Sequence, residues 1–369
     1  MKKLIIALIV LAIAVVACLT TWQSRIRVTN TNDKPVVKIG VILPLTGNSA
    51  FAGIPVQKSI NLALRDIQKE QNLKYNYELI YADTDNSQKQ AILATNRLKS
   101  MDGVNAIISM WSPAGLVISP FAEQNKILHL GCSWGYDVAK GHYNFNHATF
   151  AEEQTAALIK QLKKRGIDRI GFIWDNEKSQ YELIDYLKQE LAKNNINIVF
   201  DNPIVRGTTD FRMEIAKMKG KDAQIILMLM LPPGMDMFVK QKREAGYNVP
   251  ITSIEYLSYN AKLFEGYWYI GDAVGSDEFG RYAKQEIGED LTSCMANLYD
   301  GLKMVIEGFE NVPANQGSIP DNEDVAKFML NNRNFKSVMG NIYIDDEGNV
   351  HTETVVKQII DGHPVQIEE

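Results

Sequence analysis

Val36-Val-Lys-Ile-Gly-Val-Ile-Leu43 is an apolar, β-branched run, and Ile54–Gln68 follows it with Val56, Ile60, Ala63, Leu64 and Ile67 at helical spacing. A strand feeding a helix is the repeating unit of an α/β fold, and this chain repeats it. Tyr77–Ala82 reads as a strand, Ser87–Leu98 as a helix, Val104–Ser109 as a strand, Ser112–Asn125 as a helix and Ile127–Leu130 as a short strand. The rhythm breaks near Asn146 and restarts. Helices are expected at Glu152–Arg165, Ser179–Lys193, Thr209–Met218 and Gly234–Ala245. Strands are expected at Asp168–Trp174, Ile196–Phe200, Ala223–Met230 and Pro250–Ser253. Apolar strands alternating with amphipathic helices build parallel sheets covered on both faces. Two such runs predict two doubly wound parallel-sheet lobes.

The last third departs from the rhythm. Phe279–Ile287, Leu291–Phe309 and Asn322–Leu330 are helical in succession. Asn341–Asp345 and Thr354–Ile360 read as strands, with the turn Asp346-Glu347-Gly348-Asn349 between them. These late elements have no sheet of their own, so they are expected to return and complete the earlier lobes. The chain would then cross between lobes about three times, giving a three-segment hinge with a cleft beside it. The expected boundaries are 36–147 plus 276–340 for lobe 1 and 148–275 plus 341–369 for lobe 2.

The N-terminus reads as an export signal. Lys2 and Lys3 precede an all-apolar stretch, Leu4–Ala17, and Cys18 follows directly. Val15-Val16-Ala17-Cys18 resembles a bacterial lipobox, which makes residues 1–17 a lipoprotein signal peptide and Cys18 the lipidation site. The alternative is an uncleaved anchor helix at the short limit of a membrane span. Both place the rest of the chain outside the cytoplasm, tethered to a membrane. Residues 18–35 are polar toward their end and read as a flexible tether.

Composition narrows the partners. The formal net charge is −5, and removal of Lys2 and Lys3 takes it to −7. A mildly acidic body without a Lys/Arg run does not read as a nucleic-acid binder. No second apolar stretch is long enough to span a bilayer. Once Cys18 is set aside, Cys132 and Cys294 remain. They read as two buried free thiols, with pairing outside the cell as the alternative.

Lys38-Ile-Gly-Val-Ile-Leu-Pro-Leu-Thr-Gly47, then Ala50, Gly53 and Asn61-Leu-Ala-Leu-Arg-Asp-Ile67, resembles the opening of type I periplasmic solute-binding proteins, and the branched-chain amino acid group above all. Ala82-Asp83-Thr84-Asp85-Asn86, Ala296-Asn297-Leu298-Tyr299-Asp300-Gly301-Leu302 and Met339-Gly340-Asn341 through Gly348 continue the resemblance in order. The likeness implies that fold, a small-molecule ligand, an ABC permease as partner, a monomer, and neither cofactor nor metal.

It also implies ligand-binding positions. Ser112, at the start of a helix with Pro113 beside it, matches a Ser that receives the ligand's carboxylate, and a helix N-terminus suits an anion. Its plainer role is to cap its own helix. Ser133 falls at a backbone-contact position in the loop Gly131–Gly135, and Gly135 stands where relatives carry a Thr. Glu255, after a strand, matches an acidic residue that pairs with the ligand's ammonium. Trp111 and Trp134 would line the cleft or pack in the core. Phe51 would cover the ligand's side chain. Ser179 and Tyr181 lie where an aromatic is usual, and Pro232 lies where Tyr or Gly is usual. An amino acid is the expected ligand, with small amides, aromatic acids and other carboxylates open because Gly135 lacks the hydroxyl.

Two other readings are carried. Gly131-Cys132-Ser133-Trp134-Gly135 fits G-x-S-x-G, and Ser133, Asp346 and His351 fill a hydrolase order formally. No long helix is expected after this elbow, however, and there is no matching oxyanion loop. The five histidines show no zinc spacing and no phosphate loop is present. The same bilobed body could also serve as a ligand sensor for a separate receptor.

Overall fold

The computed structural model describes residues 34–367 apart from 71, 178–179, 274–276, 293, 316 and 333–334. Cys18, the signal segment, the tether up to residue 33, and Ser179 lie outside the described residues. The body begins at Val36.

Strand β1 (Val36–Leu43) is buried along nearly its whole length and pairs in parallel with β2 (Asn76–Asp83) and β3 (Ala106–Met110). Next to β3 come β4 (Leu128–Cys132) and β5 (Asn144–His147), also parallel. Helices Ala50–Glu70 and Met295–Asn311 pack together on one face of this sheet. Helices Gln88–Arg97 and Ser112–Asn125 bury a second apolar cluster, around Ile42, Ile107 and Ile118, on the other face. This is the first lobe.

The second lobe holds β6 (Arg169–Asp175), β7 (Asn197–Ile204), β8 (Ile225–Leu229) and β9 (Ile251–Thr252), in the parallel order β7-β6-β8-β9. Strand β10 (Trp268–Asp272) joins it through a bridge between Ile254 and Ile270. Two apolar clusters, one centred on Phe172 and Leu187 and one on Phe211 and Phe238, cover the two faces. The paired doubly wound architecture expected from the alternation is therefore present.

The late strands divide between the lobes. β11 (Ile342–Ile344) and β12 (Asn349–Thr352) form a hairpin, and β12 pairs in parallel with β5 of the first sheet. β13 (Thr354–Ile360) and β14 (His363–Gln366) extend the second lobe from β10. The expected boundary at residue 341 therefore moves to about Glu353. The physical reason is that the edge of β5 was open: the backbone groups of Asn349 and Val350 pair with Asn146 and His147. A short amphipathic hairpin does not announce which edge it will complete.

Three crossings tie the lobes. The chain leaves β5 for helix Ala151–Lys164, leaves β10 for helix Asp277–Ile287, and passes from β12 to β13 through Glu353. At their meeting point the Thr149 hydroxyl donates to Oδ1 of Asp272 and pairs with the Thr352 hydroxyl. The Ala273 N–H donates to the Glu353 carbonyl at 2.8 Å.

The expected free thiols are corrected. Cys132, at the end of β4, and Cys294, just before helix Met295–Asn311, form a disulfide with their Cα atoms 5.8 Å apart. Their sequence separation of 162 conceals this proximity.

Candidate functional site

A cleft of about 710 Å³ lies between the lobes beside the three crossings. Strand ends of both sheets point into it, as open α/β sheets place their ligand sites. Of the residues expected from the sequence, Trp111, Ser112, Ser133, Trp134 and Glu255 line it. Gly135, Phe51, Tyr181 and Pro232 do not.

Helix Ser112–Asn125 has the bounds expected from the sequence. Ser112 is its first helical residue, and Trp111 occupies the cap position without a capping side chain. The opening N–H groups of a helix have no intrahelical partner, so this end offers donors and a partial positive charge to the cleft. Trp111 reaches this position through φ 68° and ψ 155°, a region nearly confined to glycine.

Ser133 lines the cleft with its backbone held by Asn146. Its N–H donates to Asn146 Oδ1 at 3.0 Å, and its carbonyl accepts from Asn146 Nδ2 at 2.8 Å. Its hydroxyl is buried at the cleft wall with no hydrogen-bond partner. The Gly135 carbonyl is likewise held by Asn146, at 3.1 Å. The Ser133 N–H and the carbonyls of Ser133 and Gly135 are thus engaged by Asn146.

Glu255 is 4% exposed and sits at φ 60°. Its backbone N–H donates to the Ile270 carbonyl at 2.7 Å, which fixes its place at the junction of β9 and β10. Gln154, from helix Ala151–Lys164, donates to its Oε1. A second buried carboxylate, Asp272, lines the same wall, and Glu177 and Arg206 add one charge of each sign.

The remaining expected residues have other jobs. Phe51 meets Tyr259 of the second lobe edge-on, with ring centroids 5.2 Å apart, so it clamps the lobes rather than lining the cleft. Tyr181 packs edge-on against Trp174 and donates to Asn176 at 2.7 Å. Pro232 is displaced from the cleft by its neighbour Leu231, whose N–H donates to Asp175. Burial pushes the Asp175 carboxyl up to about 6, and the Leu231 hydrogen bond opposes that rise.

Residues missed from the sequence include Arg206, Tyr259, Asp272, Thr149 and Asn297. Arg206 bridges the lobes by donating to Ser49 Oγ at 3.0 Å. Trp111 and Trp134, both from the first lobe, pack against the core of the second. The two rival readings of these tryptophans, wall and packing, are both realised.

The hydrolase constellation is not assembled. The strand ending at Cys132 leads to a short 3-10 turn, Tyr136–Ala139, and not to a long helix. His351 is engaged by Glu153 at 2.7 Å and Asp345 at 3.2 Å, away from the cleft that Ser133 lines. Among the described residues no cluster of His, Cys, Asp and Glu is arranged to hold a metal ion. Among them, too, no helix is long and apolar enough to cross a membrane.

The periplasmic binding protein family matches residues 36–363. The chain belongs to that family. Its relatives include the Leu/Ile/Val-binding protein homolog 3 of Brucella melitensis biotype 1, 23% identical over 335 residues, covering 85% of this chain and 88% of that protein. Among solved structures, a branched-chain amino acid transporter substrate-binding protein of Streptococcus pneumoniae in complex with isoleucine superposes with a TM-score of 0.78. It is 19% identical, over 90% of this chain and 100% of the other. A solute-binding protein of an R. palustris ABC transporter in complex with benzoate superposes at 0.80, with 14% identity over 90% and 95%. The fold is that of the type I periplasmic binding proteins, as the ordered motifs of the sequence implied, and the family places the protein outside the cytoplasm.

Proposed function

We propose that this protein captures an amino acid in the interlobe cleft and delivers it, chemically unchanged, to an ABC importer. The observation that carries the reading is the opposition of charge across the cleft. On the first lobe, a helix N-terminus at Ser112 and the Ser133 hydroxyl suit a carboxylate. On the second, the buried carboxylates of Glu255 and Asp272 suit an ammonium. A zwitterion satisfies both sides, and closure around it removes water and strengthens each contact. The closed form is then favoured by the ligand's greater affinity for it. Attachment to the membrane through lipidated Cys18 completes the picture and keeps the body near its permease.

A second ligand class has one specific point in its favour. Trp111, Trp134 and Tyr259 give the cleft aromatic walls, as an aromatic acid would want. The two carboxylates stand against it, since an anion without an amine would leave them facing bare negative charge.

A thermal-shift screen of amino acids and aromatic acids tests the choice. Amino acids should raise the melting temperature and benzoates should not. Retention of an amino-acid-induced shift by Glu255→Ala would remove Glu255 from the site. Radiolabelled palmitate incorporation, lost in Cys18→Ala, tests the anchor. Co-purification with a permease rather than with a receptor separates transport from sensing.

A further inference from the structure

The cleft does not end at its acidic wall. Behind Glu255, Asp272 and Asn297 lies a second chamber of about 350 Å³, which those three residues share with the main cleft. Lys357 from β13 and Thr292 add polar groups to its lining. Asn297 comes from the first lobe, in the opening turn of the 17-residue helix Met295–Asn311. It is 1% exposed, and its side-chain Nδ2 is buried without a hydrogen-bond partner. Buried amides are ordinarily satisfied, so a donor left this way at a cavity wall points to an acceptor that arrives with a ligand.

The chemistry around Asn297 says what kind of acceptor. Glu255 and Asp272 are acceptors, and Asp272 already receives the Thr149 hydroxyl through one oxygen. A ligand group entering here meets the Asn297 donor and the Lys357 ammonium as well as the two carboxylates. A side-chain carboxylate would accept from Asn297 and Lys357 but would bring a third negative charge to a chamber that sets one ammonium against two carboxylates. An aliphatic side chain would leave the Asn297 amide unsatisfied. A carboxamide answers both, accepting at its carbonyl and donating through its NH₂.

We infer that Asn297 is a specificity-determining residue of the cleft, and that the second chamber takes a carboxamide carried on the ligand's side chain. This inference rests on the amino-acid reading above and narrows it to the glutamine and asparagine class.

Calorimetric titration of the protein with L-glutamine, L-asparagine, L-leucine and L-glutamate tests it. The better of the two carboxamides should bind about tenfold tighter than leucine or more, the value of a hydrogen bond that would otherwise be left unmade. Asn297→Leu should lose about that factor for the carboxamide and nothing for leucine. Asn297→Asp, nearly identical in shape, should show the same selective loss and guards against a folding defect in the first variant. Tighter binding of leucine than of both carboxamides, glutamate binding as tight as glutamine, or unchanged carboxamide affinity in both variants overturns the inference and leaves the amino-acid reading standing. Failure of all four compounds to bind overturns both.

Discussion

Thr149 donates its hydroxyl proton to Oδ1 of Asp272, and the two residues belong to different crossings between the lobes. The third crossing joins them through the Thr352 hydroxyl. All three partners are buried, so the hinge is fastened by polar contacts that water does not replace. Thr149→Val keeps the shape and removes the donor, leaving a buried carboxylate oxygen without its proton partner. It should cost about 1–3 kcal/mol in urea unfolding. An unchanged unfolding midpoint would show that the hinge does not depend on this contact.

Glu255 accepts from Gln154, and Gln at position 255 could still accept through its carbonyl. Glu255→Gln should therefore fold normally while losing its attraction for an ammonium. Calorimetry should show a loss of about 2–5 kcal/mol for an amine-bearing ligand, the usual result of removing one partner from a buried charge pair. A ligand bound equally well by both proteins does not use its amine at this position.

The disulfide between Cys132 and Cys294 closes a long loop between two cleft-lining elements. In the chain-entropy account its removal costs up to about 5 kcal/mol. Cys132→Ala with Cys294→Ala should lower the melting temperature and weaken ligand binding together. Reducing agent should reproduce the stability loss in the unmodified protein and have no effect on the double variant. An identical melting curve with and without reductant would sink this expectation.

Two histidines near the hinge should respond to pH with opposite sign. His147, on β5, is buried with neither ring nitrogen hydrogen-bonded, and burial pulls it down to about 3. Its folded value is depressed, so its contribution is full above the unfolded value of about 6.5 and is lost as the pH falls below it. The stability of the unmodified protein relative to His147→Leu should drop by about 1.4 kcal/mol per pH unit in that range. His351 behaves the other way. Burial opposes its charge, but hydrogen bonds to Glu153 and Asp345 prevail and raise it. Its contribution is full below about 6.5 and fades as the pH climbs through the raised folded value. Urea unfolding between pH 5 and 9, compared with His351→Gln, should show that gap shrinking upward. A pH-independent gap in either comparison refutes the corresponding assignment.

The architecture was legible because its signal is local. Runs such as Ile225–Leu229, and Val36–Leu43 apart from Lys38, are apolar, and buried parallel strands require that. The number of crossings followed from late elements too few to form a sheet. What could not be read depended on edges and on distance. The hairpin of β11 and β12 joined the first lobe because β5 had an open edge, a fact outside its own sequence. That Trp111, Ser112, Ser133, Trp134 and Glu255 line the cleft was legible since each lies within three residues of a strand's end. Asp272 and Asn297 were not, because Asp272 lies beside Glu255 only through the bridge of β10 to the second sheet, and Asn297 reaches the cleft only after the second crossing. Phe51 was read as covering the ligand, and its ring meets Tyr259 of the other lobe.

Three cleft residues, Trp111, Glu255 and Cys294, hold left-handed backbone angles with φ between 60° and 68°. Such positions each cost about 1–3 kcal/mol in a non-glycine residue. Glycine at Glu255 would relax the chain, yet would delete an acidic group; at Trp111 it would forfeit packing against the second lobe's core, and at Cys294 it would break the disulfide, so those two positions gain no resistance to heat. In the proposed site, thermal hardiness and grip on the cargo are therefore in direct competition at Glu255. A variant library selected for heat alone should drift toward an empty-handed protein.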